Sequence, residues 1–272
     1  MKDYLSIKEF SKLSGIETTT LRYWDDIGLF SPAKRNPENN YRYYTPQQVI
    51  AVNFITVLSS LQVPLKIIDD IKDGRTPKHI VELIERQEGL LDMEMRRLRE
   101  CYSIIHTRRD LIKSGMKADL SEISVCELPD FALIMGEETG FKEEESFYEP
   151  FMRFCNQAKN LRVNLSYPIG GCHGSMEAFL KNPGQPEYFF SADPTGNVHR
   201  KAGKYMVGYA QGYYGEFGDL PERMANYAQK NALTFAGPVY ALYLLDEICL
   251  DDPSRYLVQV CVGVSKSRTR LN

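Results

Sequence analysis

The stretch from Leu5 to Val49 constrains this chain more than any other. It opens on Ser6-Ile7-Lys8-Glu9, a capping box in which Ser6 caps a helix and Glu9 reaches back to the exposed amide. Ile7, Phe10 and Leu13 follow at helical spacing, which predicts a short amphipathic helix. Ser14-Gly15 stops it, because glycine readily takes the left-handed turn. A second helix is expected from about Thr18. It carries Leu21, Trp24 and Ile27 inward and leaves Thr18, Thr19, Arg22 and Tyr23 for other surfaces. Two short helices around a tight turn make a helix-turn-helix, whose second helix enters the major groove of DNA. On spacing alone an ordinary helical hairpin fits as well.

The next segment separates the two. Pro32 to Tyr44 holds Lys34, Arg35, Asn39, Asn40, Arg42 and three tyrosines, with Pro37-Glu38-Asn39-Asn40 as a turn between short extended arms. This reads as a β-wing bearing groups that contact phosphates and sugars, Lys34 among them. Thr45-Pro46-Gln47-Gln48 then opens another helix, with Thr45 as cap and Gln48 closing the box.

On Ile7–Gly15, Thr20-Leu21-Arg22-Tyr23-Trp24-Asp25 and Asn40-Tyr41-Arg42-Tyr43-Tyr44 the chain resembles the MerR family of transcriptional regulators, through about Gly74. Trp24 departs from the tyrosine common there. The resemblance implies that Thr19, Arg22, Tyr23, Arg42 and Tyr44 contact DNA.

Composition excludes other classes. With 272 residues, one to two domains are expected. No apolar run suits a membrane span and Met1-Lys2-Asp3-Tyr4 lacks a signal core, so no membrane partner and a cytoplasmic location are expected. Six cysteines without a Cys-x-x-Cys pair read as reduced. Residues 1–115 hold 18 Lys/Arg against 16 Asp/Glu, and residues 116–272 hold 15 against 20. That asymmetry permits DNA binding, but the motif carries the claim.

Behind the head, Gln47–Leu61 is expected as a helix, and Pro64 to Ile71 as a shorter one broken at Asp73-Gly74-Arg75-Thr76-Pro77. A long polar helix comes next, from Lys78 to Lys113, roughly 50 Å at 1.5 Å per residue. Its seam of Ile80, Ile84, Gln87, Leu91, Glu94, Leu98, Cys101, Ile105 and Ile112 has a coiled-coil rhythm, and a twofold copy is the simplest partner. A lone amphipathic helix is the alternative. In the family this helix forms an antiparallel coiled coil between subunits. Ser114-Gly115 ends it and is the expected joint to the carboxy-terminal half.

From Leu120 onward lie 11 of the 17 tyrosines. The order strand, helix, strand, strand runs twice: Ile123–Glu138, Glu145–Asn160, Leu165–Cys172 and Glu187–Ala192, then Gly203–Tyr214, Leu220–Asn231, Val239–Glu247 and Tyr256–Val264. On Lys204–Val207, Pro238–Tyr243 and Tyr256–Val260 this half resembles the GyrI-like effector-binding domain behind some MerR heads, of the BmrR-like multidrug-responsive type. The expected architecture is α+β: a winged helix-turn-helix head (1–76), a long antiparallel coiled-coil dimerisation helix (77–114) and a duplicated βαββ GyrI-like domain (118–272).

Tyrosine rings suit flat lipophilic cations, at about 0.5–2 kcal/mol each. Tyr167, Tyr188, Tyr209, Tyr243 and Tyr256 are the expected pocket residues, although tyrosines packing a core fit as well. Tyr213-Tyr214 is expected to split, one in and one out. The resemblance implies a glutamate after the Val-Tyr pair, and here Ala241 stands there. Glu216, Glu247 or Glu187 are substitutes, or the ligand is neutral or zwitterionic. Cys172-His173 point apart on a strand, so no metal or nucleophile site is expected, and Glu143-Glu144-Glu145 reads as a charged helix start. No cofactor and no catalytic residues are expected. The resemblance implies a homodimer on promoter DNA that activates by distorting it on binding a small lipophilic effector, acting on RNA polymerase through the DNA. A GyrI-like hydrolase or a ligand-independent repressor are the rival readings.

Overall fold

The computed structural model describes residues 3–60, 76–141, 147–161 and 164–266. The Pro64–Ile71 helix, the break at Asp73-Gly74-Arg75 and the Glu143-Glu144-Glu145 helix start lie outside the described residues. The chain divides into two compact units, residues 1–97 and 98–272.

The first unit contains a winged helix-turn-helix head together with residues 77–97 of the long helix. Helix α1 (Ile7–Ser14) begins with the capping box closed from both sides: the Ser6 amide donates to Glu9 Oε2 (2.8 Å) and the Glu9 amide to Ser6 Oγ (3.4 Å). Gly15 follows in the left-handed conformation (φ 73°). Helix α2 (Thr18–Asp26) packs across α1, and strands β1 (Leu5–Ser6), β2 (Lys34–Arg35) and β3 (Arg42–Tyr44) form an antiparallel sheet in the order β1-β3-β2. Asn40 turns the wing at φ 55°, a position asparagine tolerates well. Helix α3 (Gln48–Ser60) starts where the Thr45 amide donates to Gln48 Oε1 (3.0 Å). Phe10, Leu21, Trp24, Phe30, Tyr44 and Val52 form the centre of the core. Leu13 and Ile27, expected inside, are 54% and 40% exposed, because each falls on or beyond the last turn of its helix, past the reach of the core.

Helix α4 (Pro77–Gly115) is the long helix, and its residues from Leu98 onward belong to the second unit. Within this chain the middle of its seam is uncovered, with Leu91, Leu98 and Ile105 37%, 54% and 69% exposed, while Gln87 is buried. Gly115 is not a free joint. It is buried, and a Cβ there would stand 2.8 Å from Leu245 Cγ and 3.1 Å from Leu244 Cβ, so the helix end is packed against the sheet. Arg108 Nη1 donates to Asp246 Oδ2 (2.8 Å) and Asn164 Nδ2 to Glu100 Oε1 (2.6 Å), fixing the same stretch of helix.

The duplication is visible in the sheet. Its strands are β4 (Ile123–Leu128), β5 (Phe131–Glu138), β6 (Ile169–His173), β7 (Tyr188–Ser191), β8 (Val198–Arg200), β9 (Gly203–Gln211), β10 (Leu233–Leu245) and β11 (Leu257–Lys266). They run in the order β4-β9-β11-β10-β6-β7-β5-β8, with every pairing antiparallel. Each half has its opening strand, then its third, then its second: β5-β7-β6 and β9-β11-β10. The two second strands meet at the centre, Ala241 opposite Gly171 and Val239 opposite His173. The single opening strand expected over Ile123–Glu138 is two strands, because Pro129 interrupts the ladder and β4 pairs with β9 of the other half. Chain continuity from β4 to β5 and from β8 to β9 brings the outer edges together, so the sheet curls. Helices α5 (Tyr148–Leu161) and α7 (Leu220–Lys230) cover one face. A short helix α6 (Met176–Lys181), not anticipated from the sequence, joins them. The inside of the curl is filled by Leu133, Cys172, Phe190 and Leu242, with Leu111 of α4 against them.

Candidate functional site

The head offers a polar face on α2. Thr19, Arg22 and Tyr23 are exposed and Thr18 is half-buried, while Leu21, Trp24 and Asp25 turn inward. Lys34 on the wing is exposed, its Nζ 5.9 Å from the ring centroid of Tyr4. These positions leave the surface of a recognition helix and a wing open to a duplex.

Two expected contacts have other work. Tyr44 is fully buried, its ring stacked on Phe10 (4.6 Å, 16°) and Phe30 (5.8 Å, 8°). Strand parity decides this: Tyr43 and Tyr44 point to opposite faces, and Tyr44 takes the core side. Arg42 is paired inside the protein, Nε to Asp25 Oδ2 (2.5 Å) and Nη2 to Asp26 Oδ1 (2.9 Å). Arg35 Nη2 also reaches Asp25 Oδ2 (2.6 Å). The buried Asp25 carboxylate therefore clamps the wing onto α2, and Arg42 positions the wing before it offers charge to a phosphate. The hydrogen bond that Arg42 donates to Asp25 holds the Arg42 pKa above its ordinary value, against the lowering effect of burial.

The second unit contains a cavity of about 440 Å³ on the helix-covered side of the β6–β10 seam. Its floor is Ile169, Gly170 and Gly171 of β6 and Ala241 and Tyr243 of β10. Gly171 leaves the rung opposite Ala241 without a side chain. The walls are aromatic: Phe147, Tyr148, Phe151, Tyr167, Phe189, Tyr213, Tyr214 and Tyr256. Tyr214 stands at the centre of the ring cluster, parallel to Phe147 (6.1 Å, 6°) and edge-on to Tyr243 (4.7 Å, 68°) and Tyr256 (5.5 Å, 61°). Such pairs contribute about 0.5–1.5 kcal/mol each beyond the burial of their area. Tyr148 and Tyr213 meet hydroxyl to hydroxyl, so a helix of the first half touches a loop of the second.

That loop is held from beneath. The Tyr243 hydroxyl accepts from the Gly215 amide (3.0 Å) and donates to the Tyr213 carbonyl (2.9 Å), and Gly215 takes φ 86°. Burial raises the Tyr243 pKa, and burial followed by the hydrogen bond to Glu247 raises that of Tyr214, so both phenols stay neutral donors. Charge is sparse. Asp246 is matched by Arg108 at 2.8 Å, and Glu247 accepts from the Tyr214 hydroxyl. His173 is 1% exposed, and burial pushes its pKa down to about 4, so its ring is neutral.

Of the expected pocket residues, Tyr167, Tyr243, Tyr256 and Ala241 line this cavity, and Tyr188 and Tyr209 do not. Tyr188 faces the cluster inside the curl, because strand parity gives the cavity to its neighbour Phe189. Tyr209 lies on the face opposite Met206 and Ala210, its hydroxyl accepting from Gln259 Nε2 (3.2 Å). Tyr213 and Tyr214 both line the cavity rather than splitting, because they sit in a loop between Gly212 and Gly215 and not on a strand. Of the three substitute acids only Glu247 reaches it; Glu187 accepts from the Gly174 amide (3.0 Å) and Glu216 from the Tyr213 amide (3.0 Å). Phe147, Phe151 and Arg108 were missed; the Phe147-to-Phe151 spacing of one helical turn was the available signal. Among the described residues no cluster of His, Cys, Asp or Glu could hold a metal, and no helix is long and apolar enough to cross a membrane.

A winged helix-turn-helix unit joined through a long helix to a unit with an aromatic cavity is the construction of a DNA-binding protein that also takes small ligands. Residues 5–75 match the family described as MerR HTH family regulatory protein. Over 98% of both chains the sequence is 28% identical to the multidrug-efflux transporter 2 regulator of Bacillus subtilis (strain 168). It is 28% identical over 60% of each chain to the multidrug-efflux transporter 1 regulator of the same organism. A solved EcmrR–DNA complex, 18% identical, covers 96% of this chain and 100% of its own at a TM-score of 0.38.

Proposed function

We propose that this protein is a homodimeric transcription regulator that binds promoter DNA through its two heads and responds to a lipophilic small molecule held in the aromatic cavity. One observation carries the reading: a MerR-type head and an aromatic cavity of about 440 Å³ occur in one chain. The names of two relatives, both regulators of multidrug-efflux transporters and one of them matched along the whole chain, support it. The uncovered seam at Leu91, Leu98 and Ile105 supports pairing of two α4 helices. Activation follows by promoter distortion, with polymerase engaged through the DNA. The ligand then supplies only its differential affinity for the distorting arrangement, typically about 1–3 kcal/mol. Hydrolysis is the weaker reading, since Ala241 stands where a general base on the cavity floor would be needed.

Footprinting of the full-length protein on DNA upstream of its own gene, with and without lipophilic compounds, tests this. Two protected half-sites are expected, with altered reactivity between them on adding ligand. A protein that is monomeric at micromolar concentration and leaves that DNA unprotected overturns the reading. Arg22→Ala should lower affinity and, if the contact is to phosphate, reduce the salt slope by about one.

A further inference from the structure

The charge in the cavity lies at one end. Of the lining residues only Arg108, Asp246 and Glu247 are charged at neutral pH, because burial keeps His173 neutral. Arg108 and Asp246 cancel each other across 2.8 Å. Glu247 has no cationic partner among the described residues, and accepts instead from the Tyr214 hydroxyl, a phenol that burial keeps neutral. One negative charge is therefore left over. Its place follows from the fold. Tyr148, Leu165 and Glu247 are the exposed members of the lining, so they form the rim. The floor at Ile169, Gly170, Gly171 and Ala241 carries no polar side chain. Ala241 and Tyr243 stand two residues apart on one face of β10, about 7 Å. The Tyr243 ring meets the Tyr214 ring at 4.7 Å, and the Tyr214 hydroxyl reaches on to Glu247. Two rings thus separate the apolar floor from the carboxylate. Tyr214 is itself fixed, since the Tyr243 hydroxyl holds the backbone on either side of it, at the Tyr213 carbonyl and the Gly215 amide.

We propose that Glu247 is the charge anchor of the cavity and that the ligand is a lipophilic monocation with its charge at one end of an aromatic body. The body lies among the rings on the apolar floor, and the cationic head meets Glu247 at the rim. A cation whose charge sits at its centre, shielded by its own rings, keeps that charge away from the carboxylate and gains from the aromatic walls alone. This rests on the effector-binding reading above and names the class of effector and the residue that selects it.

Isothermal titration of the full-length protein at pH 7.5 tests it with three probes: end-charged (3,3-diphenylpropyl)trimethylammonium, centre-charged tetraphenylphosphonium and uncharged 3,3-diphenylpropan-1-ol. Glu247→Gln removes the charge and keeps an oxygen that accepts from Tyr214. It should weaken the end-charged probe about fivefold, the upper end for a solvent-facing charge pair, and leave the other two within twofold. Unchanged binding of the uncharged probe then shows that the variant keeps its cavity. An end-charged probe that binds the variant as tightly as the natural protein overturns the anchor. Equal losses for both cations overturn the end-charged class, and equal losses for all three show a structural role in place of the anchor. Binding of tetraphenylphosphonium alone by the natural protein overturns the assignment and leaves the effector reading standing. No binding of any probe by the natural protein overturns the effector reading and the assignment with it.

Discussion

Ala241→Glu should convert the cavity into a strong binder of permanent cations. The side chain at 241 leaves β10 on the cavity face, with Pro186 covering Gly171 opposite, so a longer residue there points past Pro186 toward the cavity. A carboxylate about 4 Å from a bound cation attracts it by about 4 kcal/mol at an effective dielectric of 20. Burying that carboxylate works against the gain, and so does its raised pKa, each unit of which costs about 1.4 kcal/mol. A net gain of about 2 kcal/mol remains, or roughly 30-fold in Kd. Titration calorimetry with tetraphenylphosphonium and uncharged triphenylphosphine oxide reads it directly. The cation should tighten and the neutral compound should stay level or weaken. The gain should also vanish as pH falls through the raised pKa of the new carboxylate, because only its ionised form attracts. A folded variant with unchanged cation affinity, or one that tightens both compounds equally, refutes the placement of position 241 on the ligand side of the sheet.

Tyr44→Phe should leave both stability and DNA affinity near their original values, because the Tyr44 hydroxyl is buried without a hydrogen-bond partner among the described residues. Tyr44→Ala should cost about 3–5 kcal/mol in urea unfolding of the head. Asp25→Asn removes the carboxylate that Arg35 and Arg42 share and should cost about 2–4 kcal/mol. DNA affinity should fall as well, although the change adds positive charge, since the wing loses its hold on α2; tighter binding in a gel shift would refute the clamp. His173 has a folded pKa of about 4 against about 6.5 unfolded, so the unfolded chain binds more protons between those values. Stability should therefore fall as pH drops from 6.5 to 4, by up to about 3 kcal/mol. Urea midpoints for the natural protein and His173→Gln should show that loss shrinking in the variant.

Local chemistry made the head legible. The Ser6–Glu9 box, the left-handed Gly15 and the Thr45–Gln48 start are contacts within a few residues, so sequence spacing specifies them. Tyr44 was misjudged because a tyrosine beside an arginine on a wing looks solvent-facing, and only the pairing of β1 with β3 shows which side meets Phe10. The duplication was legible because each half repeats the same order of elements. Its strand order was not, since Ala241 meets Gly171 across a long sequence separation that no local pattern encodes. The cavity shows the same limit. Tyr243 could be assigned from alternation relative to Ala241, but Tyr188 lost its place to Phe189 by a shift of one residue, and a one-residue shift reverses every face of a strand. Loop residues such as Tyr213 and Tyr214 follow no periodicity, so their convergence on one cavity is visible only in three dimensions.

The cavity lies where a ligand can do mechanical work. Its floor joins the second strands of the two halves, and its walls draw Phe147 and Tyr148 from one half and Tyr213, Tyr214 and Tyr256 from the other. Arg108 of α4 reaches the same space, paired to Asp246 with both side chains largely shielded (22% and 13% exposed). A shielded ion pair is sensitive to its surroundings, since removing water from beside it strengthens the attraction while charge brought near it competes. A ligand that filled the cavity would therefore bear on the contact holding the carboxy-terminal turns of α4. Gly115 makes that contact stiff rather than hinged, because the helix end is pressed against Leu244 and Leu245. A flexible joint there would absorb the change. A packed one passes it to the carboxy-terminal turns of α4.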